Sequence, residues 1–174
     1  MSDPRYPIGP FVPSTNPTPE SRRTCIQEIA EAPSLIRAAV SGLDDARLET
    51  PYRPGGWTLR QVLHHVPDSH MNAYCRFKFA LTEDNPGIKA YDEAAWARVA
   101  DTAGTRPEAS LALLDALHER WVVLLNSMSA ADFGRGLQHP EKGSITLDWM
   151  LQLYAWHGRH PAAHITSPRT REGW

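Results

Sequence analysis

Apolar residues recur three and four positions apart in four long stretches of this chain, and this spacing predicts four amphipathic helices. The first helix is expected to begin after Thr18, a favoured cap residue that is followed by proline at the first helical position. Gly42 marks its expected end. Pro33 lies inside the same pattern, so the helix is expected to break or kink near Ala32.

The second helix is predicted to begin after Thr58, which stands three residues before a glutamine in the pattern of a capping box, and to end before Asn85. Pro67 lies within this helix and should cost it one internal hydrogen bond. Residues 51–56 ahead of the helix are predicted to form a loop. Residues 91–100 behind it are expected to hold a short helix.

The third helix is predicted to begin at Pro107 and the fourth at Thr146. Between them, the glycine-rich residues 129–145 are expected to form a loop or a small hairpin. The apolar seams of these two helices are Leu114, Leu117, Trp121, Leu124 and Met128, and then Leu147, Met150, Tyr154, His157 and His164. Four such helices predict an all-α fold, a four-helix bundle.

Ahead of the bundle, residues 1–17 contain five closely spaced prolines and are predicted to form an extended N-terminal arm. The whole chain, residues 1–174, is expected to be one domain, because 174 residues can bury a single sizeable core.

Charge and composition argue against several classes of function. The formal net charge is −2, and no run of lysine or arginine predicts binding to nucleic acid or to an anionic membrane. No apolar run approaches the roughly 20 residues that cross a bilayer. The N-terminus lacks the features of a secretory signal. The two cysteines form no C-x-x-C pair, so free thiols in the cytoplasm are expected.

Histidines supply the candidate chemistry. His157, His160 and His164 are spaced by three and four residues, which places them on one face of the fourth helix. A pair at i and i+4 can hold one metal ion, and a third imidazole from another helix would leave coordination positions open, as in catalytic sites. The alternative is that these histidines are core residues whose nitrogens are satisfied without a metal.

The second helix offers His64 and His65, which point about 100° apart, so only one of them can face the seam. His65 lies beside the apolar seam positions and is preferred as the ligand, whereas His64 is expected to support it or to lie at the surface. Asp68 could orient either imidazole or act as a base, or it could be an ordinary solvent-facing acid. His70 and His118 are expected to have ordinary surface or boundary positions.

Three neutral imidazoles suit Zn²⁺, Ni²⁺ or a related ion, one per chain. Such a metal either activates a bound water for hydrolysis or holds a thiol as thiolate for S-transfer, and the pattern alone does not choose between these. A non-catalytic bundle that binds a metal or a ligand is the third hypothesis.

The chain also resembles the YfiT branch of the DinB superfamily, whose members are classed as metal-dependent hydrolases. The resemblance runs nearly end to end. It includes the segments Tyr6-Pro-Ile-Gly9, Tyr52-Arg-Pro-Gly-Gly-Trp-Thr58, Arg60-Gln-Val-Leu-His-His-Val66, Tyr154-Ala-Trp-His157, Ala163-His-Ile165 and Gly173-Trp174.

This resemblance implies a four-helix bundle, often a homodimer, in which the second histidine of the His-His pair and an H-x-x-x-H pair of the last helix bind Zn or Ni. In this chain those residues are His65, His160 and His164. A metal-bound water acting on a small-molecule substrate is the preferred activity. Transfer of a low-molecular-weight thiol such as bacillithiol is the alternative that the resemblance also implies.

Two prolines depart from the family pattern. Pro161 stands between the two ligands of the last helix, where relatives have a further histidine, and Pro67 stands two residues after His65, where alanine is commoner. Pro161 removes a hydrogen bond to the carbonyl of His157 and can bend the helix at the site. We expect a backbone that is already kinked there to accept it at little cost.

Overall fold

A computed structural model describes residues 3–174, and its architecture is built on four long helices, as expected. The elements in chain order are α1 (Pro19–Val40), α2 (Asp45–Leu48), α3 (Leu59–Thr82), α4 (Glu93–Trp96), α5 (Ala100–Gly104), α6 (Pro107–Ser127), α7 (Ala130–Phe133), β1 (Gly136–His139), β2 (Gly143–Thr146) and α8 (Leu147–Glu172). The long helices α1, α3, α6 and α8 form the bundle.

The predicted starts of the four long helices are confirmed, and three of them are encoded by a side-chain cap, whereas α6 begins at Pro107 without one. The side chains of Thr18 and Thr58 accept hydrogen bonds from the backbone three residues on, and each lies in a full capping box. Thr146 accepts a bond from the backbone of Trp149 at the start of α8. Such caps satisfy donors that the first turn of a helix leaves unpaired.

The predicted break near Ala32 is wrong, since α1 continues through Pro33 to Val40. Pro33 is buried, and α1 packs along α8. The two helices come so close that a Cβ atom at Gly158 would lie 2.7 Å from the Cβ of Ala32. Packing of this kind outweighs the local cost of one missing hydrogen bond.

The buried stripe of α6 differs from the predicted seam. Its buried residues include Leu111, Leu114, His118, Trp121 and Leu125. Leu117 and Leu124 of the predicted seam are only partly buried. The stripe is therefore rotated around the helix, and this rotation brings His118 into the core.

The predicted small hairpin is confirmed at residues 136–146, where β1 and β2 pair antiparallel with Leu137 opposite Ile145. The N-terminal arm has no helix or strand over residues 3–17 and lies along α8. Its backbone is held there, because Trp156 donates to the carbonyl of Gly9 (3.2 Å) and Gln152 accepts from the amide of Ser14 (2.7 Å).

No helix within residues 3–174 is long and apolar enough to cross a membrane.

Candidate metal centre

A cleft of about 540 Å³ opens between α3, α8, the hairpin and the turn at residues 52–57, and we refer to it as the cleft. Five histidines line it, namely His65 from α3, His139 at the end of β1, and His157, His160 and His164 from α8. The three predicted ligands therefore lie together in one cleft, and His157 lies with them.

Aromatic rings hold three of these imidazoles in place. Trp156 stacks on His160 with ring centroids 4.1 Å apart, and Tyr52 stacks on His164 at 4.2 Å. Trp57 meets His65 edge-on at 5.0 Å. Stacked and edge-on contacts of this kind restrict ring rotation and exclude water from the imidazoles.

The turn that contains Tyr52 and Trp57 is formed by interactions among its own residues. The amide of Tyr52 donates to the carbonyl of Trp57 (3.0 Å), which closes the turn. Gly56 has room inside it only because it lacks a Cβ, which would lie 2.8 Å from the ring of Tyr52 and from the Cγ of Arg53. Glycine at this position therefore lets the Tyr52 ring pack inward over the imidazole of His164.

Burial keeps the imidazoles of the cleft neutral. It lowers the pKa of His65 to about 4, and proximity to His164 adds to the effect. The pKa of His160 is likewise lowered to about 4, and the pKa values of His157 and His164 are lowered for the same main reason. At pH 7 these residues are therefore unprotonated, which is the state that binds metals.

The histidine nitrogens of the cleft do not surround a single point at which they could all bind one ion. Across residues 3–174, no group of three or more His, Cys, Asp or Glu side chains is arranged to hold a metal ion. The rings instead bond elsewhere: Nε2 of His65 lies 3.3 Å from Nε2 of His157, and Nε2 of His164 donates to the carbonyl of Arg5 (3.2 Å).

Even so, the residues of the cleft fit a metal in their chemistry. The Nδ1 atom of His160 is buried and has no hydrogen-bond partner among residues 3–174, so one nitrogen of the predicted set is left unsatisfied. Buried polar atoms in folded proteins nearly always have a hydrogen-bond partner or another ligand. The donor set consists of neutral nitrogens, which suits Zn²⁺ or Ni²⁺.

Asp68 does not reach the cleft. It lines a second, smaller cavity together with His64, Asp101 and Ser110. Burial, with a further contribution from Asp101, raises the pKa of Asp68 to about 6. The imidazoles of His64 and His65 bond to Ser110 and His157 instead, so the geometry offers no support for Asp68 as a base at the candidate centre.

His64 is buried against α6, where its Nδ1 lies 2.6 Å from the hydroxyl of Ser110. The alternative of a surface position for His64 is therefore wrong. It points away from the cleft, as the angle of about 100° between neighbouring helical residues requires when His65 faces it.

The expectation for His70 and His118 is also wrong, because both are core residues, 0% and 2% exposed. They contact each other and connect to the cleft through His157, since Nε2 of His70 lies 3.0 Å from Nδ1 of His157. The signal for His118 was present in the sequence, because positions 111, 114, 118, 121 and 125 of α6 are spaced as regularly as the seam that was chosen.

Charged residues around the cleft were also missed. Arg53, Arg76 and Lys142 line it beside a single glutamate, Glu93. None of the three cations has a carboxylate within 4.0 Å among the residues that the structure describes. The cleft is therefore positively charged on balance.

The bundle and its histidine-lined cleft define a class of protein: the chain belongs to the DinB superfamily, whose family model matches residues 28–165. A protein of Bacillus cereus (strain B4264), provisionally named a metal-dependent hydrolase, is 52% identical over the full length of both chains. A Bacillus mycoides protein with the same provisional name is 51% identical over the full length of both.

The same likeness extends to a solved structure. YfiT from Bacillus subtilis is described as a probable metal-dependent hydrolase with an unusual four-helix bundle topology. It matches this fold with a TM-score of 0.95 and 47% sequence identity over 98% of each chain. The fold described above is thus of the YfiT type.

Proposed function

We propose that this protein is a metal-dependent hydrolase in which His65, His160 and His164 hold one divalent ion, Zn²⁺ or Ni²⁺. The observation that carries the proposal is the meeting of these three neutral imidazoles in one cleft. The provisional naming of full-length relatives as metal-dependent hydrolases supports the reaction class. A metal bound in this way supplies a water of lowered pKa, which is a nucleophile at neutral pH.

The other residues of the cleft bind and orient the substrate. The cleft volume of about 540 Å³ falls within the range for small-molecule sites, and its walls include the rings of Trp57, Trp149 and Trp156. Arg53 and Arg76 also line the cleft, and their guanidinium groups suit a substrate with an anionic group. We therefore expect a small molecule with both an apolar and an anionic part.

Glu93 is the carboxylate best placed to move a proton in this cleft. It lines the cleft, and burial raises its pKa above the usual range for glutamate. A carboxylate with a raised pKa is a stronger base than an exposed one. Glu93 therefore takes the role first considered for Asp68.

A second candidate is transfer of a low-molecular-weight thiol, with the metal holding the thiolate. The specific observation in its favour is the excess of cationic side chains in the cleft, since such thiols commonly carry carboxylates that Arg53, Arg76 and Lys142 could pair with. The thiolate needs no activated water, so this reaction would tolerate loss of Glu93.

Metal content of the untagged protein, by elemental analysis, is the first test. We expect close to one Zn or Ni per chain in the wild type and a loss of metal in His160→Ala. Ester and amide panels should then be run with and without thiols, alongside the electrophile monochlorobimane. Product release without thiol supports the hydrolase, and consumption of the electrophile only with thiol supports the transferase. Tight ligand binding without turnover would favour a non-catalytic binding bundle.

We also propose that the protein acts in the cytoplasm as a homodimer. The resemblance to the YfiT branch supports the dimer, and the free Cys25 and Cys75 fit a reducing compartment. Light scattering coupled to gel filtration checks the mass, which for one chain is 19.4 kDa.

A further inference from the structure

We propose that the second, smaller cavity, which is lined by residues of α3, α5 and the start of α6, binds a primary alkylammonium group. Its acceptors are the carboxylates of Asp68 and Asp101 and the Nε2 atom of His64. A free amine and a lysine side chain both present this group at the end of an apolar chain. The proposal does not depend on the metal centre or on the proposed function.

The second cavity lies on a different face of α3 from the cleft. His65 lines the cleft, and His64, which points about 100° away from it, lines the second cavity. Two carboxylates meet there from different elements, Asp68 from α3 and Asp101 from α5. The volume of about 160 Å³ is below the range of about 300–1,000 Å³ for whole small molecules, so the cavity suits a single functional group.

The imidazole of His64 has one nitrogen available for a ligand. His64 is only 5% exposed, and its Nδ1 lies 2.6 Å from the Oγ atom of Ser110. Its Nε2 is buried and has no hydrogen-bond partner among residues 3–174. Buried polar atoms are nearly always satisfied in folded proteins. When Nδ1–H donates to Ser110, the lone pair of the neutral ring is on Nε2, so His64 offers an acceptor.

The two carboxylates lie close together without a positive charge between them. Burial raises the pKa of Asp68 to about 6, and the negative charge of Asp101 adds to that rise. Neither carboxylate forms an ion pair within 4.0 Å in the part of the chain that the structure describes. A bound cation would offset both the loss of hydration at Asp68 and the repulsion between the two acids.

The spacing of the acceptors favours an ammonium group over a metal ion. A divalent metal needs its ligands about 2.0–2.6 Å from one point. Within residues 3–174, no three His, Cys, Asp or Glu side chains are arranged in that way. An ammonium group accepts a wider spacing, because its donor–acceptor distances are about 2.7–2.9 Å. Its three N–H donors also match the three acceptors, whereas a planar guanidinium is bound best by a single carboxylate.

The remaining wall of the second cavity is partly apolar. Pro67 of α3 and Ala109 and Leu113 of α6 line it, and the side chain of Leu113 is 45% exposed. The methylene groups of an alkylammonium can cover such a surface while the charged end reaches the carboxylates. Pro67, which departs from the family pattern, thus contributes its ring to this wall.

The first test is a titration of the metal-free protein with n-butylammonium chloride. NMR spectra of the carboxyl carbons and imidazole nitrogens should show saturable shifts at Asp68, Asp101 and His64. Two probes should bind at least about tenfold more weakly, namely 1-butanol, which lacks the charge, and tetramethylammonium, which lacks N–H donors. Equal binding of n-butylammonium and tetramethylammonium would overturn the proposal, because it would show only a general attraction of cations.

Variants of the two acids locate the site. Asp68→Asn and Asp101→Asn should each weaken n-butylammonium binding at least about tenfold, since each removes a charged acceptor. Asp84→Asn is the matched control, because it makes the same change of charge at an exposed position outside the cavity, and its affinity should stay within about twofold of wild type. An equal loss in all three variants, or no loss in either cavity variant, would overturn the site. The wild-type shifts decide the question if a cavity variant does not fold.

Two further probes distinguish the sources of the ammonium group. 1,4-Diaminobutane is a free amine, whereas Nα-acetyl-lysine methylamide presents the same group on a peptide backbone. Tighter binding of the diamine would support a free amine as the ligand, and tighter binding of the lysine compound would support a lysine side chain of a partner protein. Absence of saturable binding by both would overturn the proposal. These titrations need no metal, so their failure would leave the hydrolase proposal standing.

Discussion

The histidines of the cleft and those of the core differ in how their nitrogens are satisfied. In the core, both ring nitrogens of His70 and of His118 have hydrogen-bond partners, and every partner belongs to the bundle. In the cleft, Nδ1 of His160 is buried without a partner in the part of the chain that the structure describes. The side chain of His164 bonds to the backbone of the N-terminal arm, at the carbonyl of Arg5.

This difference in hydrogen bonding distinguishes histidines that stabilise the core from histidines whose nitrogens are available to bind a ligand. The core histidines are saturated, so removing one leaves a neighbour unpaired. The cleft histidines make fewer hydrogen bonds to the bundle, so removing one should lower the stability of the fold little and weaken metal binding strongly. His157 belongs to both groups, because its Nδ1 faces the core and its Nε2 faces the cleft.

The largest expected effect is on metal binding. His160→Ala, like His65→Ala or His164→Ala, should weaken Zn²⁺ or Ni²⁺ affinity by at least about 100-fold, since a lost ligand should cost more than a lost supporting residue. His64→Ala is the matched control, because His64 is also a buried histidine but faces α6. Competition with a chromogenic chelator measures the affinities. Equal affinities in all four variants would remove the distinction between the two groups.

The next effect is on the stability of the fold, where we expect the core variant to be affected more than the cleft variant. His70→Ala should lower the free energy of unfolding by about 3 kcal/mol, because it opens a cavity and leaves Nε2 of His118 and Nδ1 of His157 unpaired. His160→Ala should cost less than about 1 kcal/mol, since the buried Nδ1 of His160 makes no hydrogen bond within residues 3–174 that the substitution could remove. Urea unfolding of the metal-free proteins measures both. A larger loss in His160→Ala than in His70→Ala would contradict the comparison.

A third effect concerns pH. An unfolded chain protonates histidine below about pH 6.5, whereas His118 in the folded protein stays neutral down to about pH 4. The unfolded state therefore binds more protons in this window. Stability should fall as pH drops from about 6.5 to 4, by up to about 1.4 kcal/mol per pH unit for this residue.

Two variants test that assignment. His118→Gln should make the fall less steep, because glutamine does not titrate, and the remaining slope comes from groups such as His65 and His160, whose pKa values are also lowered to about 4. Asp68 contributes with the opposite sign, since its pKa of about 6 in the folded protein lies above its ordinary value of 3.8, so that protonation favours the folded state. Asp68→Asn should therefore steepen the fall. Unfolding free energies at intervals between pH 4 and 7 give the slopes, and unchanged slopes in both variants would show that other groups set the pH dependence.

The sequence is most informative where structure is determined locally. Thr58 and Thr146 predict where their helices begin, because a helix cap depends on a few adjacent residues. The i, i+4 spacing of His160 and His164 likewise places them on one face without knowledge of the rest of the fold. The choice of His65 over His64 followed from the apolar seam beside it, and the structure places His65 in the cleft.

What depends on neighbouring helices could not be predicted. Two regular stripes run along α6, and only packing against α1 and α3 selects the one that contains His118. The continuity of α1 through Pro33 similarly depends on its close approach to α8. Asp68 was chosen by its offset from His65 along one helix, whereas its surroundings are set by Asp101, which precedes α6.

The smallest expected effect tests whether the backbone beneath the cleft depends on its proline. Pro161 is buried inside a continuous α8, one residue after His160, and cannot donate to the carbonyl of His157. Pro161→Ala restores that donor, and we expect stability to change by less than about 1 kcal/mol and Zn²⁺ affinity by less than about threefold. Calorimetric titration measures the affinity. A tenfold change would mean that Pro161 sets the angle between His157 and His160, so that α8 would contribute to the centre through its backbone as well as through its imidazoles.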